Sequence, residues 1–118
     1  MSEDATRRAT IARLNDHFRF TGEDGWVFLS AGVAAQAVPV KDAIVHAVRN
    51  FDTFTSDSDP DGAHDYGMLT IHELQIIWEI TYYRRDLGKA ESDPADPATT
   101  KRVMAICAIR DSGRHRHR

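Results

Sequence analysis

Between Leu74 and Tyr83 the side chains change character at every second residue. Leu74, Ile76, Trp78, Ile80 and Tyr82 fall on one side of an extended chain, and Gln75, Ile77, Glu79, Thr81 and Tyr83 on the other. The spacing predicts a strand with one buried face, and such a strand needs an apolar layer to cover it. Slipping the register by one residue would bury Glu79 and expose Trp78. Ile76, Trp78, Ile80 and Tyr82 are therefore expected to face the covering layer, with Gln75, Glu79 and Thr81 facing away.

The rest of the chain offers helices for that layer. Ile11, Leu14 and Phe18 recur at helical spacing, and Thr21–Gly25 is turn chemistry that ends the first helix before a short strand, Trp26–Leu29. Ala31–Ala37 carries no clear period. From Pro39, the residues Val40, Ala43, Ile44, Ala47, Val48 and Phe51 form one apolar stripe, which leaves His46 on the solvated side of a second helix. Tyr66–Ile71 can pair with the long strand through a turn at His72-Glu73, although the usual turn glycine is missing. Asp96 as N-cap and Pro97 in the first turn predict a last helix with Thr99, Val103, Ile106 and Cys107 on its inner face. The expected fold is α+β: three helices packed on a small antiparallel sheet of about three strands, in the order α-β-α-β-β-α. One domain covers residues 1–111, and residues 112–118 form a basic, frayed tail ending Arg114-His-Arg116-His-Arg118.

Composition narrows the function classes. A chain of 118 residues with 42% hydrophobic and 28% charged residues is an ordinary globular domain. The net charge of −3 argues against direct nucleic-acid binding, which would have to use the tail and the arginines of the first helix. The single cysteine, Cys107, has no partner for a disulfide or a zinc motif and reads as a core residue. There is no membrane-length apolar run, and the start Met-Ser-Glu-Asp-Ala-Thr-Arg-Arg lacks a signal-like apolar segment, so a cytoplasmic location is expected.

The most conspicuous stretch is 57-DSDPDGAHDYG-67. Asp57, Asp59, Asp61 and Gly62 match the first half of a calcium loop, but the twelfth position is Met68, which cannot supply the bidentate carboxylate. No metal or other cofactor is expected; the alternative is a divalent-cation site on Asp57, Asp59, Asp61 and Asp65. His64 invites an acid–base role assisted by Asp65 or Glu79. Asp65, its neighbour in an extended segment, points to the opposite face and is poorly placed to orient the ring. Candidate nucleophiles Ser30, Ser56, Thr70 and Cys107 lack a recognisable nucleophile turn.

Three segments, 58-SDPDGAHDYG-67, 77-IWEITYYRRDL-87 and 91-ESDPADP-97 leading into 100-TKRV-103, resemble in order and spacing a family of short bacterial proteins of unknown function that is frequent on plasmids and in phage-derived regions. The resemblance extends upstream through 12-ARLND-16 and 31-AGVAA-35. The carboxylates that the family pattern carries at positions 63, 81 and 84 are replaced here by Ala63, Thr81 and Arg84, and its lysine by Glu79. No activity comes with the resemblance; the acidic, single-domain chain in that mobile-element setting is expected to be a non-enzymatic protein-binding factor, such as an inhibitor of a host defence system of the anti-CRISPR or anti-restriction kind. Its partner would be a host or mobile-element protein, for instance a nucleic-acid-processing complex, contacted through Asp57, Asp59, Asp61, Glu79, Thr81 and Arg84. The alternative is a small hydrolase or transferase that uses His64, Asp65 and Glu79.

Overall fold

The computed structural model describes residues 3–86 and 93–112. The chain runs α1 (Glu3–Thr21), β1 (Gly25–Leu29), α2 (Ala31–Ala34), α3 (Val38–Arg49), β2 (Tyr66–Ile71), β3 (Leu74–Arg84), β4 (Thr100–Ala108) and α4 (Ile109–Ser112). The α+β class holds. The four strands form one mixed sheet in the order β1-β4-β3-β2, with β1 parallel to β4 and the other neighbours antiparallel.

The expected last helix is the correction. Residues 100–108 form a central strand, not a helix, and Asp96-Pro97 opens only a turn, where the Asp96 side chain accepts the Ala98 N–H at 3.0 Å. Val103, Ile106 and Cys107 fit a helical stripe, but Thr100, Arg102, Met104, Ile106 and Ala108 fit a period of two and are the residues buried. The two polar members of that row, Thr100 and Arg102, hide the alternation from a reading based on hydrophobicity alone. Because β4 enters between β1 and β3, the sheet gains a fourth strand and a parallel pair.

The inward row of the long strand is as expected, but the outward row is only partly so: Ile77 is buried and Glu79 is half-buried. Ile76, Trp78 and Ile80 are buried, Tyr82 is half-buried, and Gln75 and Thr81 are exposed. Ile76, Trp78 and Ile80 pack with Met104, Ile106 and Ala108 beneath Phe18, Val33, Ile44 and Val48 from the helices. His46 is exposed, as the helical stripe of α3 requires. His72 and Glu73 both take positive φ, 49° and 66°, so the hairpin closes with I′-like geometry without glycine. The pairing of Ile71 with Leu74 imposes that geometry despite the residue types.

The segment without a clear period contains α2, latched to α4. Ser30 Oγ and the Gly32 N–H both donate to Asp111 Oδ2 at 2.7 Å. A Cβ at Gly32 would lie 2.5 Å from that oxygen, which is why a glycine stands there. Cys107 lies on β4, half-buried, and burial pushes its thiol pKa up. Glu91, Ser92 and the tail from residue 113, including Arg114, Arg116 and Arg118, fall outside the described residues. No described helix is long and apolar enough to cross a membrane.

Candidate functional site

The acidic loop joins α3 to β2 and closes over the helix-covered side of the sheet. Its His64 is held from several directions. The ring Nδ1 sits 3.0 and 3.1 Å from the two Asp16 carboxylate oxygens, and Nε2 lies 3.6 Å from Asp59 Oδ2. The Phe54 ring stacks on the imidazole at 3.9 Å and 2°. The His64 N–H donates to the Asp59 carboxylate at 3.2 Å, with φ at 57°. Asp16 also accepts from Arg19 Nη1 at 3.0 Å, while Arg19 Nη2 donates to the Phe51 carbonyl at 2.9 Å. The Arg19 guanidinium lies 5.0 Å from the Trp78 ring centre, a cation–π contact under the loop.

A second polar chain runs beside the first. Asn15 is fully buried and donates to the Ala63 carbonyl at 2.9 Å and to the Tyr82 hydroxyl at 2.8 Å. Its own carbonyl oxygen accepts from Arg102 Nε at 2.6 Å, and Arg102 Nη2 reaches the Pro94 carbonyl. The Tyr82 hydroxyl donates to Asp65 Oδ2 at 3.2 Å. Burial raises the Asp65 pKa against the opposing effect of that bond. Burial and the nearby Asp65 carboxylate push the Tyr82 phenol well above its usual range, and burial lowers Arg102. Gly67 is needed here as well, since a Cβ on it would stand 2.4 Å from Trp78 Nε1.

These contacts give the shared motifs a physical role. Asn15 from the first segment, Ala63 and Asp65 from the loop, Tyr82 from the long strand, Pro94 from the DPADP run and Arg102 from β4 all meet in one hydrogen-bonded network. Buried polar groups need partners, and this network supplies them from segments far apart in sequence.

The predicted site residues separate. His64 and Asp65 are adjacent in sequence but serve different chains, and Asp16 orients the imidazole in place of Asp65 or Glu79. Asp59 turns inward with its side chain 7% exposed, so it is not an outer contact, whereas Asp57 and Asp61 stay exposed. With Asp59 given to His64 and Asp65 to Tyr82, the four loop aspartates do not converge. Among the described residues, no three His, Cys, Asp or Glu side chains are arranged to hold a metal ion.

Glu79 and Thr81 lie on the other side of the sheet. The register puts Trp26 beside Val103, Phe28 beside Ala105, Thr81 beside Val103 and Tyr83 beside Lys101 on that outer face. Trp26, Phe28 and Tyr83 are 59, 53 and 54% exposed. They line a shallow depression of about 470 Å³ with Val103, Lys101, Arg84 and Arg85. The Lys101 ammonium lies 5.2 Å from the Trp26 ring centre, and Arg84 pairs with Asp86 at 2.7 Å. Arg85 pairs with Asp24, and that hydrogen bond holds the Asp24 carboxyl below its ordinary range.

Sequence reasoning missed Asn15, Asp16, Arg19, Phe54 and Arg102, and it passed over the aromatic residues of the outer face. The signal for Asn15, Asp16 and Arg102 was present, because 12-ARLND-16 and 100-TKRV-103 belong to the resembling segments without an assigned role. Comparison with curated proteins and with solved structures finds no match. The profile of one family of unknown function, DUF3768, matches residues 29–111, which takes in the loop, β2, β3 and β4 but not α1. The chain belongs to the DUF3768 family.

Proposed function

We propose that the chain is a non-enzymatic protein-binding factor whose contact surface is the outer face of the sheet. One observation carries this reading: Trp26, Phe28 and Tyr83 stand exposed together around a depression with a cationic margin. Large aromatic side chains at a shallow pocket are the usual anchors of protein interfaces, and clustered exposed apolar residues mark interaction sites. Glu79, Thr81 and Arg84 add polar groups on or beside the same surface. The partner chemistry that fits is an apolar segment bearing an acidic group toward Lys101, since Arg84 and Arg85 already pair with Asp86 and Asp24. A mobile genetic element with a host nucleic-acid-processing defence complex as the target is the setting proposed here, and the motif resemblance is what supports it.

Acid–base chemistry at His64 requires a ring nitrogen open to substrate. Asp16 occupies Nδ1, Asp59 stands before Nε2, and Phe54 covers a ring face. That geometry favours a structural role. The test is quantitative capture from host lysate, comparing the wild type with Tyr83→Asp and with the pair Asp57→Lys, Asp61→Lys. The partner should be lost with Tyr83→Asp and kept with the loop pair. The reverse pattern would move the interface to the acidic loop.

A further inference from the structure

We infer that β1 is a self-complementary edge through which two copies of this chain pair, antiparallel and centred on Val27. This goes beyond the partner-binding reading and does not rest on it, since it uses the rim of the sheet and its backbone.

Among the described residues β1 is a terminal strand of the sheet, with β4 on one side only. Its sequence, Gly-Trp-Val-Phe-Leu, contains no charge, no proline and no polar side chain, and Val27 is 40% exposed in addition to Trp26 and Phe28. Soluble proteins normally guard such an edge with lysine, proline or a covering segment.

The hydrogen-bond phase of β1 is fixed by its parallel partner. The Ser30 N–H donates to the Ile106 carbonyl at 3.0 Å, beside the register pair Leu29–Ile106. Alternation along the strand then turns the backbone groups of Trp26 and Phe28 toward β4, and those of Gly25, Val27 and Leu29 outward. An antiparallel second copy centred on Val27 sets Val27 against Val27 and Gly25 against Leu29. Both are pairs that exchange two hydrogen bonds, so every outward N–H and C=O of the strand gains a partner.

The side chains fit the same register. Trp26 falls opposite Phe28 of the second copy in the closer, non-hydrogen-bonded kind of pair, and the two-fold axis repeats the contact. Aromatic cross-strand pairs are among the favourable ones in sheets. Asp24 falls opposite Ser30, so no like charges meet at the strand ends. The joined sheet is continuous and doubles the aromatic outer face.

The experiment is sedimentation or light-scattering mass as a function of concentration, for the wild type, Val27→Lys and Val27→Pro. The N–H of Val27 points away from β4, so proline there leaves the β1–β4 ladder intact, and the lysine extends from an already exposed position. The wild type should reach twice 13.3 kDa, and both variants should stay at 13.3 kDa with an unchanged circular dichroism spectrum. Tyr83→Asp should remain dimeric, which separates this result from failure of the partner-binding reading. A wild type that stays monomeric up to about 100 μM, a hundredfold above a micromolar Kd, overturns the inference, whatever else the edge then binds. A dimer that survives both Val27 variants overturns it as well.

Discussion

The acidic loop and the first strand reverse what their sequences advertise. The loop is dense with aspartate and carries the one histidine that looks catalytic, yet Asp59, His64 and Asp65 are spent on holding the loop to α1 and β3. The strand is a plain apolar run that would be taken for core, yet Trp26 and Phe28 are more than half exposed. The difference lies in position. The loop lies on the helix-covered side, where most polar groups are held by partners and only Arg19 Nε and Trp78 Nε1 are buried without one among the described residues, and β1 lies at an edge whose outer face no described helix covers. Conspicuous polarity here maintains the fold, and inconspicuous hydrophobicity is what solvent meets.

The comparison breaks most visibly at Asn15. Asn15→Leu removes one side chain and leaves Arg102 Nε and the Ala63 carbonyl without their partner, while the Tyr82 hydroxyl keeps only its bond to Asp65. Unmet buried groups cost about 1–3 kcal/mol each, so a loss of about 3 kcal/mol or more is expected in urea unfolding. A loss below about 1 kcal/mol would mean that the network is not structural. His64→Ala comes next. It removes the Asp16 hydrogen bond and the Phe54 stack and should cost about 1–2 kcal/mol, read from the same unfolding curves. Unchanged stability, with some turnover abolished, would return the loop to catalysis.

How far these roles could be read from the sequence depends on how many contacts each needs. The alternation in β3 is local and one-dimensional, so Trp78 inside and Thr81 outside could be read directly. β4 could not, because Thr100 and Arg102 are buried through partners from other segments, the Asp93 carbonyl and Asn15. Without those partners a buried arginine looks like a surface residue and the strand looks like a helix. The His64–Asp16 pair spans 48 positions, and nothing in the spacing of either residue announces it. Exposure of Trp26 and Phe28 follows from strand order, which no local pattern encodes.

Acid and base should act on different carboxyls. Hydrogen bonds from Ser30 Oγ and the Gly32 N–H hold the Asp111 carboxyl below its ordinary range. A carboxyl with a depressed folded pKa contributes stability that is present above its unfolded value and lost as the pH falls through the folded one. The α2–α4 latch should therefore loosen in acid, seen as faster amide exchange at Gly32, and Asp111→Asn should remove that pH dependence. Asp65 runs the other way, because burial raises its pKa. Its contribution is full below the unfolded value and lost as the pH rises through the folded one. Asp65→Asn, which can still accept from Tyr82, should leave the neutral-pH melting temperature equal or higher. A fall would show that Tyr82 needs the charge.

The smallest effect belongs to the part of the loop that most resembles a site. Asp57 and Asp61 are exposed, and neither side chain belongs to the two networks. Surface substitutions of this kind usually change stability by no more than about 0.5 kcal/mol. Asp57→Lys with Asp61→Lys should therefore leave the urea midpoint within error, whereas Asp59→Asn should lower it, because it weakens the charged acceptor of the His64 N–H and removes the carboxylate before Nε2. The contrast tests the division inside one short segment. A calcium titration sharpens it: a ligand at a hundred times its Kd adds about 2.7 kcal/mol, so even modest binding would show as a rise in melting temperature. No rise is expected in the wild type. A saturable rise abolished by the Asp57, Asp61 pair would make the outer aspartates a site after all.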